Sequence, residues 1–122
     1  MKVQSTNQGI YHQIAEFGIE QVLSGAWEEG GRIPSVRKLA AEVGVNPNTV
    51  MSAYDHLKSL NIIETQRGRG FFVTETGHAS AVALRRNHFI REEIPKLKRN
   101  LELLNISLED LTEMLTAAPN NN

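Results

Sequence analysis

Gly44-Val45-Asn46-Pro47 ends one helical pattern and begins another within four residues. Ahead of it, Val36, Leu39, Ala40 and Val43 recur at the spacing of one helix face, and Ser35 stands where an N-cap would accept a backbone N–H. Behind it, Val50, Ala53, Tyr54, Leu57 and Leu60 form a second such stripe. Gly44 closes the first helix. Asn46 is placed to cap the second, and Pro47 takes the first helical position, where its missing N–H costs nothing. Helices over 36–43 and about 47–60, joined only by Gly44-Val45, predict a helix-turn-helix.

The flanks complete that unit. A helix is expected over 8–24, capped by Asn7, with Ile10, Ile14, Phe17 and Gln21 or Val22 on one face, widened by Ile19 and Leu23 and ended by Gly25. Residues 1–7 are polar and expected to be loose, and Trp27 to Pro34 is a turn-rich connection. After Leu60 the period changes. Ile62–Gln66 and Phe71–Thr74 read as strands about the turn Arg67-Gly68-Arg69-Gly70, a hairpin that makes the helix-turn-helix a winged one. From about His78 to Leu104 the pattern is helical again, with Val82, Phe89, Leu97, Leu101 and Leu104 expected on a buried face. Pro95 either kinks that helix or starts a second. Ser107 with Asp110 has the form of a capping box, so a last helix is expected over 108–117 with Leu108, Leu111, Met114 and Leu115 as its stripe. Amphipathic helices of this kind do not bury their apolar faces alone, and a second copy of the chain is the natural cover; the alternative is that they fold back on their own domain. The expected fold class is mainly α with a small β-hairpin. It has a winged helix-turn-helix domain over 1–74, a short helical dimerisation tail over 75–118 and a disordered tail over 119–122.

A chain of 122 residues holds one domain, or a small domain with an appendage, which excludes a two-domain enzyme with a large internal cleft. Hydrophobic residues at 40% and charged residues at 22% exclude wholesale disorder. Without cysteine there is no disulfide framework, thiolate metal site or thiol nucleophile. The longest apolar runs are a few residues, far short of the roughly 20 that span a bilayer. Met1-Lys2-Val3-Gln4-Ser5-Thr6 lacks the apolar core of a signal peptide. The expected compartment is the cytoplasm, with no membrane partner. The net charge of −1 argues against a generally basic nucleic-acid binder, but the charge is uneven. Six basic residues (Arg32, Arg37, Lys38, Lys58, Arg67, Arg69) oppose three acidic ones between Arg32 and Phe72, against seven and eleven elsewhere. A locally basic block in an acidic chain fits a small nucleic-acid-facing surface.

Residue chemistry points to the same block. The outer side of the second helix of the pair carries Asn48, Thr49, Met51, Ser52, Asp55, His56 and Lys58. Asn48, Thr49 and Ser52 are short hydrogen-bonding side chains at the end of a recognition helix that meets base edges and phosphates. Asn can pair bidentately with adenine, and Ser or Thr serves bases or phosphates. Asn46 reads better as a cap than as a contact. Arg37, and less strongly Lys38, lie on the polar face of the preceding helix, within reach of a phosphate or guanine edge. In Arg67-Gly68-Arg69-Gly70 the glycines allow close backbone approach, and the arginines favour the negative potential of a minor groove. An enzyme is not expected. His12, His56, His78 and His88 show no compact ligand spacing, no phosphate-cradling loop opens a helix, and no nucleophile has a paired base. No catalytic residue, metal or cofactor is therefore assigned.

Gly30-Gly31-Arg32-Ile33-Pro34-Ser35-Val36-Arg37-Lys38-Leu39-Ala40, then Val45-Asn46-Pro47-Asn48-Thr49-Val50, then Ala53-Tyr54, Leu57 and Arg67-Gly68-Arg69-Gly70-Phe71-Phe72-Val73 together resemble the GntR family of bacterial transcription regulators. The Asn-Pro-Asn-Thr-Val and Ala-Tyr motifs point to its short YtrA-like branch. The resemblance covers about residues 8–74. It implies a homodimeric DNA-binding regulator on a palindromic double-stranded operator, a repressor whose target is often a transporter operon, and a small-molecule effector of unspecified identity. DNA contacts carry over to Arg37, to Asn48 and Thr49, and to Gly68 with its wing neighbours. Pro47 and Met51 stand where longer-branch members often carry base- or phosphate-contacting arginines, which implies fewer direct contacts. The alternative is a winged-helix protein-interaction module that has lost DNA binding, favoured by Pro47, Met51 and the net charge.

Overall fold

The computed structural model describes residues 7–117. The expectations for the segment ahead of Asn7, for capping by the Asn7 side chain and for the tail 119–122 lie outside the described residues. Helix α1 spans Asn7–Ser24, α2 Val36–Val43 and α3 Pro47–Ser59. The sharp starts of α2 and α3 have local causes. Ser35 Oγ accepts the Lys38 N–H at 3.1 Å, and Asn46 Oδ1 accepts the Asn48 N–H at 2.8 Å. Each bond satisfies one of the four N–H groups that a helix start leaves open, and is worth about 1 kcal/mol. At the other end of α2, Gly44 turns left-handed and donates to Ala40 O at 2.9 Å. The chain then re-enters a helix at Pro47, which gives the helix-turn-helix.

Burial follows the stripes. Ile14, Ile19 and Val22 of α1, Leu39 of α2, and Val50, Ala53 and Leu57 of α3 are all buried. Each large aliphatic side chain so withdrawn from water contributes about 1.5–3 kcal/mol. The α1 face is centred slightly differently from the expected one: Ala15 is buried, whereas Ile10, Phe17 and Leu23 are half-buried at its margin. Trp27 meets Phe17 edge-on at 6.1 Å and Tyr54 at 6.3 Å, and Tyr54 meets Phe71 at 5.0 Å. This aromatic chain links α1, α3 and the hairpin.

The hairpin pairs β1 (Ile63–Gln66) antiparallel with β2 (Gly70–Val73), Ile63 opposite Val73 and Gln66 opposite Gly70. The outer edge of β2 is occupied. Arg32 bridges Phe72, with Gly30 N–H to Val73 O at 3.0 Å, Val73 N–H to Gly31 O at 2.9 Å and Ile33 N–H to Phe71 O at 2.9 Å. The stretch read as a turn-rich connection therefore also braces the wing.

Helix α4 spans Gly77–His88, a π-helical turn covers Phe89–Glu93, α5 spans Ile94–Leu103 and α6 spans Leu108–Ala117. The π turn answers the question posed by Pro95. The Ile94 N–H reaches back five residues to Phe89 O, and His88 and Ile94 both keep right-handed helical dihedrals. A wide turn ahead of the proline relieves the clash its ring makes with the preceding turn, so the backbone stays helical through it. The Ser107–Asp110 box forms reciprocally, Asp110 N–H to Ser107 Oγ at 3.0 Å and Ser107 N–H to Asp110 Oδ2 at 3.3 Å.

The chain divides into two compact units, one ending at Leu84 and the other beginning at Arg85. One expectation is corrected: Val82, Phe89, Leu97 and Leu104 are exposed and Leu101 is half-exposed, so they form no buried face among the described residues. Leu108, Met114 and Leu115 of α6 are exposed as well. Helical spacing reveals which face is apolar, but it carries no information on what covers that face.

A candidate nucleic-acid interface

Helix α3 has two opposed stripes. Val50, Ala53, Tyr54 and Leu57 are buried, whereas Asn48, Met51, Ser52 and Asp55 are exposed, again three and four residues apart. Burial of the first stripe against α1 and α2 forces the second into solvent. Thr49, between them, is half-buried. The side chains of Asn48 and Ser52 make no hydrogen bond to any described residue, so their donors and acceptors are available to a ligand. The backbone N–H of Asn48 is already taken by Asn46, whose side chain thus acts as a cap.

Arg37 and Lys38 are exposed on the first turn of α2 and pair with no described acidic group. Their position depends on a residue that hydrophobic spacing assigns only to the core. Tyr54 is fully buried, and its hydroxyl donates to Pro34 O at 2.8 Å. That bond holds the residue next to the Ser35 cap, and so holds the start of α2 against α3. Burial, aided by the Glu42 carboxylate, pushes the Tyr54 phenol well above the ordinary tyrosine range, so it remains a donor. The available signal was chemical: a Tyr on a buried stripe needs a partner for its hydroxyl.

In the wing, Arg67 and Arg69 are both exposed but differently engaged. Arg69 stacks over the Phe72 ring at 5.1 Å, and its guanidinium donates to Gln66 Oε1 at 2.9 Å. Arg67 has no described partner and is the freer cation. Gly68 sits at φ 76° with open space around its Cα. Gly70, at φ 113°, has Arg32 beside it: a Cβ there would lie 3.2 Å from Arg32 Nε. Arg32 thus puts a third cation beside the wing, through the bridge to Phe72. Its motif position and charge were visible in the sequence; its pairing with a strand forty residues away was not. Among the described residues no group of three or more His, Cys, Asp or Glu is arranged to hold a metal ion, and no helix is long and apolar enough to cross a membrane.

Comparisons with known proteins point the same way. The family model of bacterial regulatory proteins, gntR family, matches residues 8–73. The chain is 37% identical over 106 residues to the HTH-type transcriptional repressor YtrA of Bacillus subtilis, covering 87% of this chain and 81% of that protein. It is 31% identical over 108 residues to the HTH-type transcriptional regulator YhcF of the same organism, covering 88% of each. Among solved structures it is similar to a transcriptional regulator of the GntR family from Bacteroides thetaiotaomicron. That pair has 40% identity and a TM-score of 0.71, covering 88% of this chain and 93% of that one.

Proposed function

The chain belongs to the gntR family of bacterial regulatory proteins, and on that footing we propose how this DNA-binding transcription regulator reads its target. Two copies of the chain, paired through the apolar faces of their helical tails (75–118), present two winged helix-turn-helix domains (1–74) to a palindromic operator. Helix α3, over about 47–60, lies in the major groove with Asn48, Thr49 and Ser52 toward the bases. Arg37 and Lys38 approach the phosphates or a guanine edge. The wing, Arg67-Gly68-Arg69-Gly70, lies at the minor groove. Phosphate contacts set the register, and the base contacts select the sequence.

The observation that carries this reading is the polar end of α3: Asn48 and Ser52 are exposed and make no hydrogen bond to any described residue, while Arg37 is exposed on the first turn of α2. Repression is the proposed outcome, supported by the 37% identity to a transcriptional repressor. The proposed setting is the cytoplasm and the proposed target a transporter operon, tuned by a small-molecule effector that shifts the dimer between geometries. Selection of bound duplexes from a random DNA library tests the reading. The expected product is a two-fold symmetric motif for the natural chain and loss of enrichment for Arg37→Ala. Absence of any enrichment at low salt overturns it.

A further inference from the structure

Met51 is the single large hydrophobic side chain ahead of α4 that is exposed among the described residues, at 40%. It is neither part of the buried core nor among the half-buried side chains packed against that core. A lone exposed apolar side chain is ordinary on most protein surfaces. This one stands inside the polar stripe of α3, with Asn48 three residues before it, Ser52 beside it and Asp55 four residues after it.

Resting on the DNA-reading role above, we propose that Met51 is a specificity residue that covers the C5-methyl group of a thymine in each half-site. The groups along the major groove are hydrogen-bond donors and acceptors, with one apolar exception, the thymine methyl. A flexible thioether on a groove-facing stripe therefore has one favourable contact to make, and it excludes water from both partners in making it. The spacing agrees. Asn48 and Met51 are separated by three residues, about 4.5 Å along the helix axis at 1.5 Å per residue, against a base-pair rise of about 3.4 Å. The two side chains thus address the same or neighbouring base pairs. Asn48 pairs with an adenine and Met51 with a thymine methyl, so each half-site carries A·T pairing where the N-terminal half of α3 meets the bases. Asp55, one turn further on, repels phosphates and keeps base contact at the N-terminal half of α3, where Met51 sits.

The probe is the duplex recovered by selection, with each thymine replaced in turn by deoxyuridine, which removes the methyl group and leaves base pairing intact. The natural chain loses about three- to five-fold in affinity at one symmetric pair of positions, the scale of one buried methyl, and is indifferent elsewhere. Met51→Ala binds the thymine and uracil duplexes equally, and Met51→Leu restores the difference. If no half-site thymine is sensitive, or if the sensitivity survives in Met51→Ala, the proposal fails while the operator-reading role stands. If no motif is recovered by selection, both fail together.

Discussion

At the scale of single residues, Tyr54 has two duties. Its ring fills the core between Trp27 and Phe71, and its hydroxyl ties Pro34 to α3. Tyr54→Phe keeps the first and removes the second, at an expected cost of about 1 kcal/mol in denaturant unfolding. The pH dependence follows from the sign of the shift. The folded phenol is held above its unfolded value, so its contribution is complete below about pH 10, the ordinary tyrosine value. It declines as pH climbs beyond that, because the unfolded chain sheds the proton before the fold does. Tyr54→Phe accordingly flattens the alkaline limb of the stability profile, and an unchanged limb would count against the buried-donor assignment. The burial of Tyr54 was legible from its place on the stripe. Its partner was not, because Pro34 lies twenty residues away and only tertiary packing brings the two together.

At the scale of elements, the segments whose ends the sequence predicted well are those with local chemistry at their ends. Ser35, Asn46-Pro47 and the Ser107–Asp110 box each act within four residues, so α2, α3 and α6 begin where their caps require. Asn46→Ala removes such a cap at the start of the recognition helix and is expected to destabilise the fold by about 1 kcal/mol in thermal or denaturant melts. The wing was legible as a hairpin but not as a braced one, since the Arg32–Phe72 bridge joins segments that no local pattern connects. Gly70 is sensitive through its left-handed φ of 113°; an added Cβ would also stand 3.2 Å from Arg32 Nε, the end of a flexible exposed side chain that has only to shift slightly. Gly70→Ala is expected to cost about 1–3 kcal/mol and to weaken DNA binding further through a displaced wing. A variant as stable as the natural chain contradicts this account of the turn.

At the scale of the whole molecule, the exposed apolar residues of the tail separate what periodicity reveals from what it conceals. Phe89, Leu97, Leu104, Leu108 and Leu115 lie where a helical pattern places them, but they are exposed among the described residues. Under the proposed pairing, sedimentation equilibrium gives twice the 13.6 kDa chain mass. Leu97→Glu combined with Leu104→Glu weakens that association by about 100-fold, through lost apolar burial, with helix content retained by circular dichroism. A natural chain that stays at single mass at micromolar concentration contradicts the pairing. The central claim is that the exposed N-terminal end of α3 reads base sequence. It is tested most directly by the ratio of affinities for the selected duplex and for a scrambled duplex of the same composition, measured for the natural chain and for Asn48→Ala. The expected result is a ratio reduced by about 10-fold or more, with affinity for the scrambled duplex unchanged. Equal losses on both duplexes, or no loss on either, would contradict it.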